Sequence, residues 1–325
     1  MILGGDVGGT KSNLALLSKQ GGRLQLLFEK RFESKKYARF EDIVAEFLRD
    51  SAGYFVAEPL RAAGFGIAGP VIEHRVRATN LPWIVDGAAL AKEVGLKRVT
   101  LLNDLEATAH SISHLASEEI FLLNAGFPQA HSNKALIAAG TGLGQAILFW
   151  DGVRHAVSAT EGGHTDFAPR TEREIELLRF LKKRAANVSW EVLVSGRGFQ
   201  TIHEFLNPAM KHPGFDSHET DPAPEITHNA LTGTCSVCVE TLDTWTALYG
   251  AESGNLALKA LPLAGLYVAG GIAVKILPKL KDGTFFRSFC DKEKMGAVLQ
   301  RIPIIIVLNQ NAPLLGAGYA ALDSI

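Results

Sequence analysis

Cysteine is scarce in this chain: Cys235, Cys238 and Cys290 are an odd, sparse set in 325 residues. That usage excludes a disulfide framework and agrees with a reducing compartment. An excess of one charge is also lacking, since the formal net charge is -1 at pH 7, so the usual basic footprint of a nucleic-acid binder is missing. A local basic patch is compatible with that sum. No apolar run is long enough to span a bilayer, and the opening residues lack the charged and apolar regions of a signal peptide. The expectation is a cytoplasmic protein with no membrane and no nucleic-acid partner. The length exceeds one typical core, so two domains are expected.

What is present begins at the second residue. Ile2 to Leu17 reads as strand, glycine turn, strand, with Gly4, Gly5, Gly8 and Gly9 around one carboxylate, Asp6. Glycine lets backbone N–H groups approach an anion, which makes phosphate the expected guest. Asp6 would repel that phosphate unless a divalent cation lay between them, so a metal nucleotide is indicated. A Walker loop is excluded because Thr10, not glycine, precedes Lys11-Ser12. A dinucleotide fingerprint is excluded because the residues after Thr10 alternate like a strand instead of opening a helix. A glycine-rich hairpin without ligand is the other reading.

The theme returns at Lys134 to Ala139, Gly140-Thr141-Gly142-Leu143-Gly144, and Gln145 to Trp150. Two such units imply two similar lobes aiming glycine turns at the same phosphates across a cleft, and the repeat weighs against the ligand-free hairpin. Between them, Leu24 to Phe32 reads as a strand, Phe40 to Leu48 as an amphipathic helix, and Ala62 to Ala68 and Val71 to Ala78 as strands. Asn80-Leu81-Pro82-Trp83 is either a loop pinned by Trp83 or the wall of a sugar cleft. Val85 to Val94 reads as a helix, Val99 to Leu102 as a buried strand and Leu105 to Leu115 as a helix. Asn103-Asp104 then stands at a strand-to-helix junction, where open α/β sheets place ligand groups and where an Asp also suits a helix cap.

Glu161-Gly162-Gly163-His164-Thr165-Asp166 suits hydrogen bonding to a polyhydroxyl ligand. Thr171 to Arg184 is a periodic helix. Trp190 to Gly198 reads as a short element ending in a Ser-Gly-x-Gly turn, with Glu191 either a first-turn carboxylate or a ligand contact. Pro208 to Pro224 is a surface excursion. Cys235 and Cys238 fall in a long helix from Ile226 to Tyr249 and lack a second Cys or His pair, so zinc is not expected there. Leu266 to Ala269 is a buried strand entering a third glycine turn, Gly270-Gly271-Ile272-Ala273, suited to a flat base. Ile304 to Leu308 is the last strand, and Asn311 opens a terminal helix with Pro313 in its first turn.

Five of these segments together carry a resemblance: Gly5-Asp6-Val7-Gly8-Gly9-Thr10, Leu102-Asn103-Asp104, Gly140-Thr141-Gly142-Leu143-Gly144, Glu161-Gly162-Gly163-His164 with Asp166-Phe167-Ala168-Pro169, and Ala269-Gly270-Gly271-Ile272. In that order they resemble the bacterial glucokinase family of the hexokinase and actin-like ATPase superfamily. The resemblance implies a two-lobed, ribonuclease-H-like α/β fold with an active-site cleft between a smaller domain (1–110 with 312–325) and a larger one (111–311). It implies ATP-dependent phosphorylation of glucose to glucose 6-phosphate, with Mg2+ and a homodimeric assembly. By the same resemblance Asp104 is the general base, and Asn103, Asp104, Glu161, His164 and Glu191 contact glucose. Gly5, Asp6, Val7, Gly8, Gly9, Thr10, Gly140, Thr141, Gly142, Gly270 and Gly271 hold the nucleotide, and Asp6 holds the metal through water. Arg197 departs from the family, which often has proline there, and Gly214 to Pro224 has no clear counterpart. The cysteine-rich zinc motif of the related repressor and sugar-kinase group is absent.

Other classes are a broader hexokinase, an actin-like or chaperone-like ATPase, and a sugar-responsive regulator. An ATPase has no use for the Asn103-Asp104 and Glu161-His164 pairs, and a regulator needs a DNA-binding module. Hexose selectivity, the phosphoryl donor, oligomeric state and allosteric control are left open by the sequence.

Overall fold

A computed structural model describes residues 1–56, 58–79, 81–208 and 221–325. Asn80 and most of the Pro208 to Pro224 excursion lie outside the described residues. The chain divides into two compact units, Met1–Ser117 with Asn309–Ile325, and Glu118–Leu308.

The first unit is built on β1 (Ile2–Val7), β2 (Lys11–Gln20), β3 (Arg23–Glu33), β4 (Ala62–Ile67) and β8 (Thr100–Asn103), in the order β3-β2-β1-β4-β8. β1, β2 and β3 form an antiparallel meander, and β4 and β8 run parallel to β1. Alternation along β2 sorts two cores. Leu14 and Leu16 pack with Phe40, Ile43, Val44 and Phe47 of the helix Phe40–Asp50, while Ala15 and Leu17 pack with Leu314 and Tyr319 of the terminal helix Ala312–Asp323. The terminal helix also meets the helix Asp104–Ser111 through small residues, Ala107 against Ala317 and Ala320. Three short strands, β5 (Val71–Ile72), β6 (Arg75–Arg77) and β7 (Ile84–Asp86), make a separate sheet.

The second unit contains β9 (Ile120–Asn124), β10 (Lys134–Ala139), β11 (Leu143–Trp150), β12 (His155–Thr160), β13 (Gly265–Ala269) and β14 (Ile304–Val307). Their order is β12-β11-β10-β13-β14-β9. The first five repeat the plan of the first unit, an antiparallel meander followed by two parallel strands, with β9 added antiparallel at the edge. The helix Ser236–Ala260 runs through the core, where Trp245 stacks on Phe199 at 4.6 Å and Tyr249 meets the edge of Phe285 at 5.4 Å.

Several elements differ from their sequence expectations for local reasons. Val71 to Ala78 is a hairpin, not one strand, because Glu73 and His74 turn the chain at φ 49 and 60. Val85 lies in β7; the helix starts at Gly87, with the Asp86 carboxylate accepting from the N–H groups of Ala88 and Ala89. The helix expected from Ile226 to Tyr249 is two helices, Ala223–Thr232 and Ser236–Ala260, because Gly233 takes a left-handed φ of 70 that ends the first. Gly196-Arg197-Gly198 is the first turn of a helix, Gly196–Leu206. Trp83 is buried and donates to the Tyr37 carbonyl at 3.2 Å, the pinned-loop arrangement.

Candidate active site

In the first unit the β1–β2 hairpin places Gly8, Gly9 and Thr10 at its tip, closed by the Gly8 N–H donating to the Lys11 carbonyl at 3.0 Å. Two buried serines brace it from below. Ser34 Oγ donates to the Gly8 carbonyl at 2.8 Å and lies 2.9 Å from Ser12 Oγ, and the Ser34 N–H donates to the Thr10 carbonyl. Neither serine was legible as a site residue, because a lone Ser near a strand end carries no spacing signal.

Asp6 pairs in register with Asn13 on β2 and Gly66 on β4. Burial, then the charge of Asp104, push its carboxyl up to about 6, against an opposing pull from Arg31. Asp6 and Asp104 are therefore close enough to oppose each other's ionisation. Asn13 Oδ1, across the hairpin from Asp6, is buried without a hydrogen-bond partner. An acidic group, a repelling second carboxylate and an unsatisfied acceptor together fit a hydrated divalent cation, whose waters donate hydrogen bonds.

Asn103 ends β8 and caps the helix Asp104–Ser111. Its Oδ1 accepts from the Leu105 N–H at 2.9 Å, Glu106 returns a bond to the Asn103 N–H at 3.3 Å, and Asn103 Nδ2 donates to the Gly69 carbonyl at 3.2 Å. This reciprocal cap fixes the helix start. Capping thus falls to Asn103, and Asp104 is the first helical residue, with Oδ1 accepting from the Leu105 N–H at 2.8 Å.

In the second unit the β10–β11 turn is closed by the Gly140 N–H donating to the Gly142 carbonyl at 2.8 Å, and the Gly196 N–H donates to the Gly140 carbonyl at 2.8 Å. Glu191 lies against this turn. Its Oε2 accepts from the Leu143 N–H at 2.9 Å, and a Cβ on residue 142 would sit 2.4 Å from that oxygen, so only glycine admits the contact. A cavity of about 540 Å³ is lined by Gly140, Thr141, Arg197, Gly271 and Lys275, among others. It joins the second and third glycine turns, and its two cations and its size suit a nucleotide. Arg197 and Lys275 were not assigned from sequence; Arg197 had stood out only as a departure from the family.

Glu161 and His164 flank the short turn Gly162–His164, 3.9 Å apart and both largely exposed. Beneath them Gln145, buried on β11, donates through Nε2 to Glu252 Oε1 at 2.7 Å. Asn255 Nδ2 donates to Glu252 Oε2 at 2.8 Å, and Lys292 Nζ to Asn255 Oδ1 at 2.6 Å. Burial raises the Glu252 carboxyl and lowers the Lys292 ammonium from their ordinary values. A Cβ on residue 162 would lie 2.2 Å from Gln145 Oε1, so the turn rests directly on this network. One signal for it existed in the sequence, a single amide opening the otherwise apolar run Gln145 to Trp150.

Comparison with solved structures places these two repeated sheets in the actin-like ATPase fold. The structure of a glucokinase from an Antarctic psychrotroph superposes with a TM-score of 0.85 at 28% identity, covering 99% of this chain and 98% of that one. A ROK family glucokinase from Streptomyces griseus, solved in complex with glucose and AMPPNP, gives 0.68 at 23% identity over 99% of both chains. In sequence, the glucokinase family model matches residues 3–324. A glucokinase of Synechocystis sp. is 39% identical over 349 residues, covering 99% of this chain and 98% of the relative. The chain belongs to the glucokinase family.

Proposed function

We propose that the chain transfers the terminal phosphoryl group of ATP to glucose, forming glucose 6-phosphate, with Asp104 as general base. Family membership supports the reaction. The observation that carries the assignment of residues is Asp104, held at the end of a parallel strand by the Asn103 cap and coupled electrostatically to Asp6 in the first glycine hairpin.

Phosphoryl transfer has a loose transition state, so positioning and charge neutralisation do most of the work. Gly9 and Thr10 at the first turn and Thr141 and Gly142 at the second offer backbone N–H groups to phosphate oxygens, the Gly8 and Gly140 N–H groups closing those turns; Gly5, Asp6 and Val7 support the first turn from β1, and Gly270 and Gly271 accept the adenosine. Mg2+ bound with the nucleotide, near Asp6 through water, would supply positive charge against the phosphates. Asn103, Glu161, His164 and Glu191 hold the sugar hydroxyls. The Glu191 carboxylate also accepts from the Leu143 N–H, which ties a sugar contact to the second phosphate turn. Asp104 takes the hydroxyl proton as that oxygen bonds to the γ-phosphorus and the bond to ADP breaks. A homodimer and a cytoplasmic location belong to the same proposal and rest on the family resemblance. Among the described residues no helix is long and apolar enough to cross a membrane.

A coupled assay on the purified chain, run over a panel of hexoses and phosphoryl donors with and without Mg2+, tests the reading. Sugar phosphate should form with glucose, ATP and Mg2+ together. Equal or better use of mannose would favour the broader hexokinase, and ATP hydrolysis indifferent to every sugar would overturn the kinase assignment.

A further inference from the structure

Away from the nucleotide cavity and the sugar turn, the fold gathers three soft ligands that the proposed reaction does not use. Cys235 and Cys238 flank the start of the helix Ser236–Ala260, Cys235 as its cap, with Sγ accepting from the Cys238 N–H at 3.3 Å. His203 comes from the helix Gly196–Leu206, far from either cysteine in sequence. A ring nitrogen of His203 and both sulfurs all lie within 4.8 Å of one another. His203 and Cys238 are buried and Cys235 is half-buried.

We propose that His203, Cys235 and Cys238 form a binding site for a thiophilic divalent cation of the zinc type, with the fourth position taken by solvent on the Cys235 side. Two sulfurs and one imidazole match the ligand preference of Zn2+, which accepts three protein ligands and a water in tetrahedral geometry. The sequence alone argued against zinc because the Cys-x-x-Cys pair had no neighbouring partner; the third ligand arrives through the packing of two helices.

A bound ion would tie the cap of the long helix to the helix whose first residues, Gly196 and Arg197, line the nucleotide cavity.

The test uses the full chain, purified, reduced, freed of metal with a chelator and titrated with Co2+ alone and then Zn2+ alone. The expected result is uptake of about one Co2+ per chain, with a sulfur-to-cobalt charge-transfer band that Zn2+ abolishes. The band should be lost in C235S/C238S and weakened at least several-fold in H203Q. Zn2+ should also raise the thermal midpoint of the wild type and leave that of C235S unmoved. Cys238 is buried in the core, so if the double variant does not fold, C235S and H203Q carry the comparison. No charge-transfer band in the wild type, or an equal band in folded C235S and H203Q, would overturn the proposal.

Discussion

At the scale of single residues the hardest-worked group is Asp6. A carboxylate beside a glycine turn was readable as a metal-nucleotide signal, because it would otherwise repel the phosphate the glycines invite. Its interaction with Asp104 was not readable, since the two meet only when β8 is laid beside β4 and β4 beside β1. The pair gives a pH prediction for the chain without nucleotide or metal. The Asp6 carboxyl is raised from 3.8 to about 6 in the fold. An acid raised in this way contributes stability that is complete below its unfolded value and lost as pH rises through its folded value. Asp6→Asn removes that titration. Relative to wild type its thermal midpoint should be unchanged near pH 3 and higher above about pH 6, as differential scanning fluorimetry across pH will read. An equal difference at both ends would show that Asp6 does not titrate as described.

At the scale of elements, the chain's own punctuation decided what could be read. The hairpins around Gly8-Gly9 and Gly140–Gly142 were legible because glycine turns and alternating apolar residues coincide. The β5–β6 hairpin was not, since its left-handed turn is made by Glu73 and His74, which carry no turn signature. Helix Gly196–Leu206 was missed at its start for the opposite reason, as Gly196 and Gly198 suggested a turn where they begin a helix. The Gln145–Glu252 bond joins residues 107 apart in sequence, beyond any local pattern. It yields a second prediction. Glu252→Ala leaves the Gln145 and Asn255 amides without their shared buried acceptor, which costs about 1–3 kcal/mol. The thermal midpoint should fall, and because Gly162 rests on Gln145, KM for glucose should rise more than KM for ATP. Equal changes in both constants, or an unchanged midpoint, would contradict the role given to this network.

At the scale of the whole molecule, the repeat of strand, glycine turn and strand was the most informative feature of the sequence. Both units share one plan, three antiparallel strands followed by two parallel ones, and that plan is the actin-like ATPase fold of the matched structures. The candidate site was legible in proportion to how local it is. Asn103-Asp104 and the glycine turns are contiguous motifs, whereas Arg197 with Lys275, and His203 with the two cysteines, are assembled by packing. The proposed reaction turns on Asp104 taking a proton from the sugar hydroxyl. Asp104→Asn keeps the shape and the Leu105 N–H acceptor, so the fold and glucose affinity should persist. Steady-state turnover of this variant, measured beside calorimetric glucose binding, should be lower by on the order of two to four decades with affinity retained. Near-normal turnover, or a loss accounted for by weaker glucose binding, would contradict the claim.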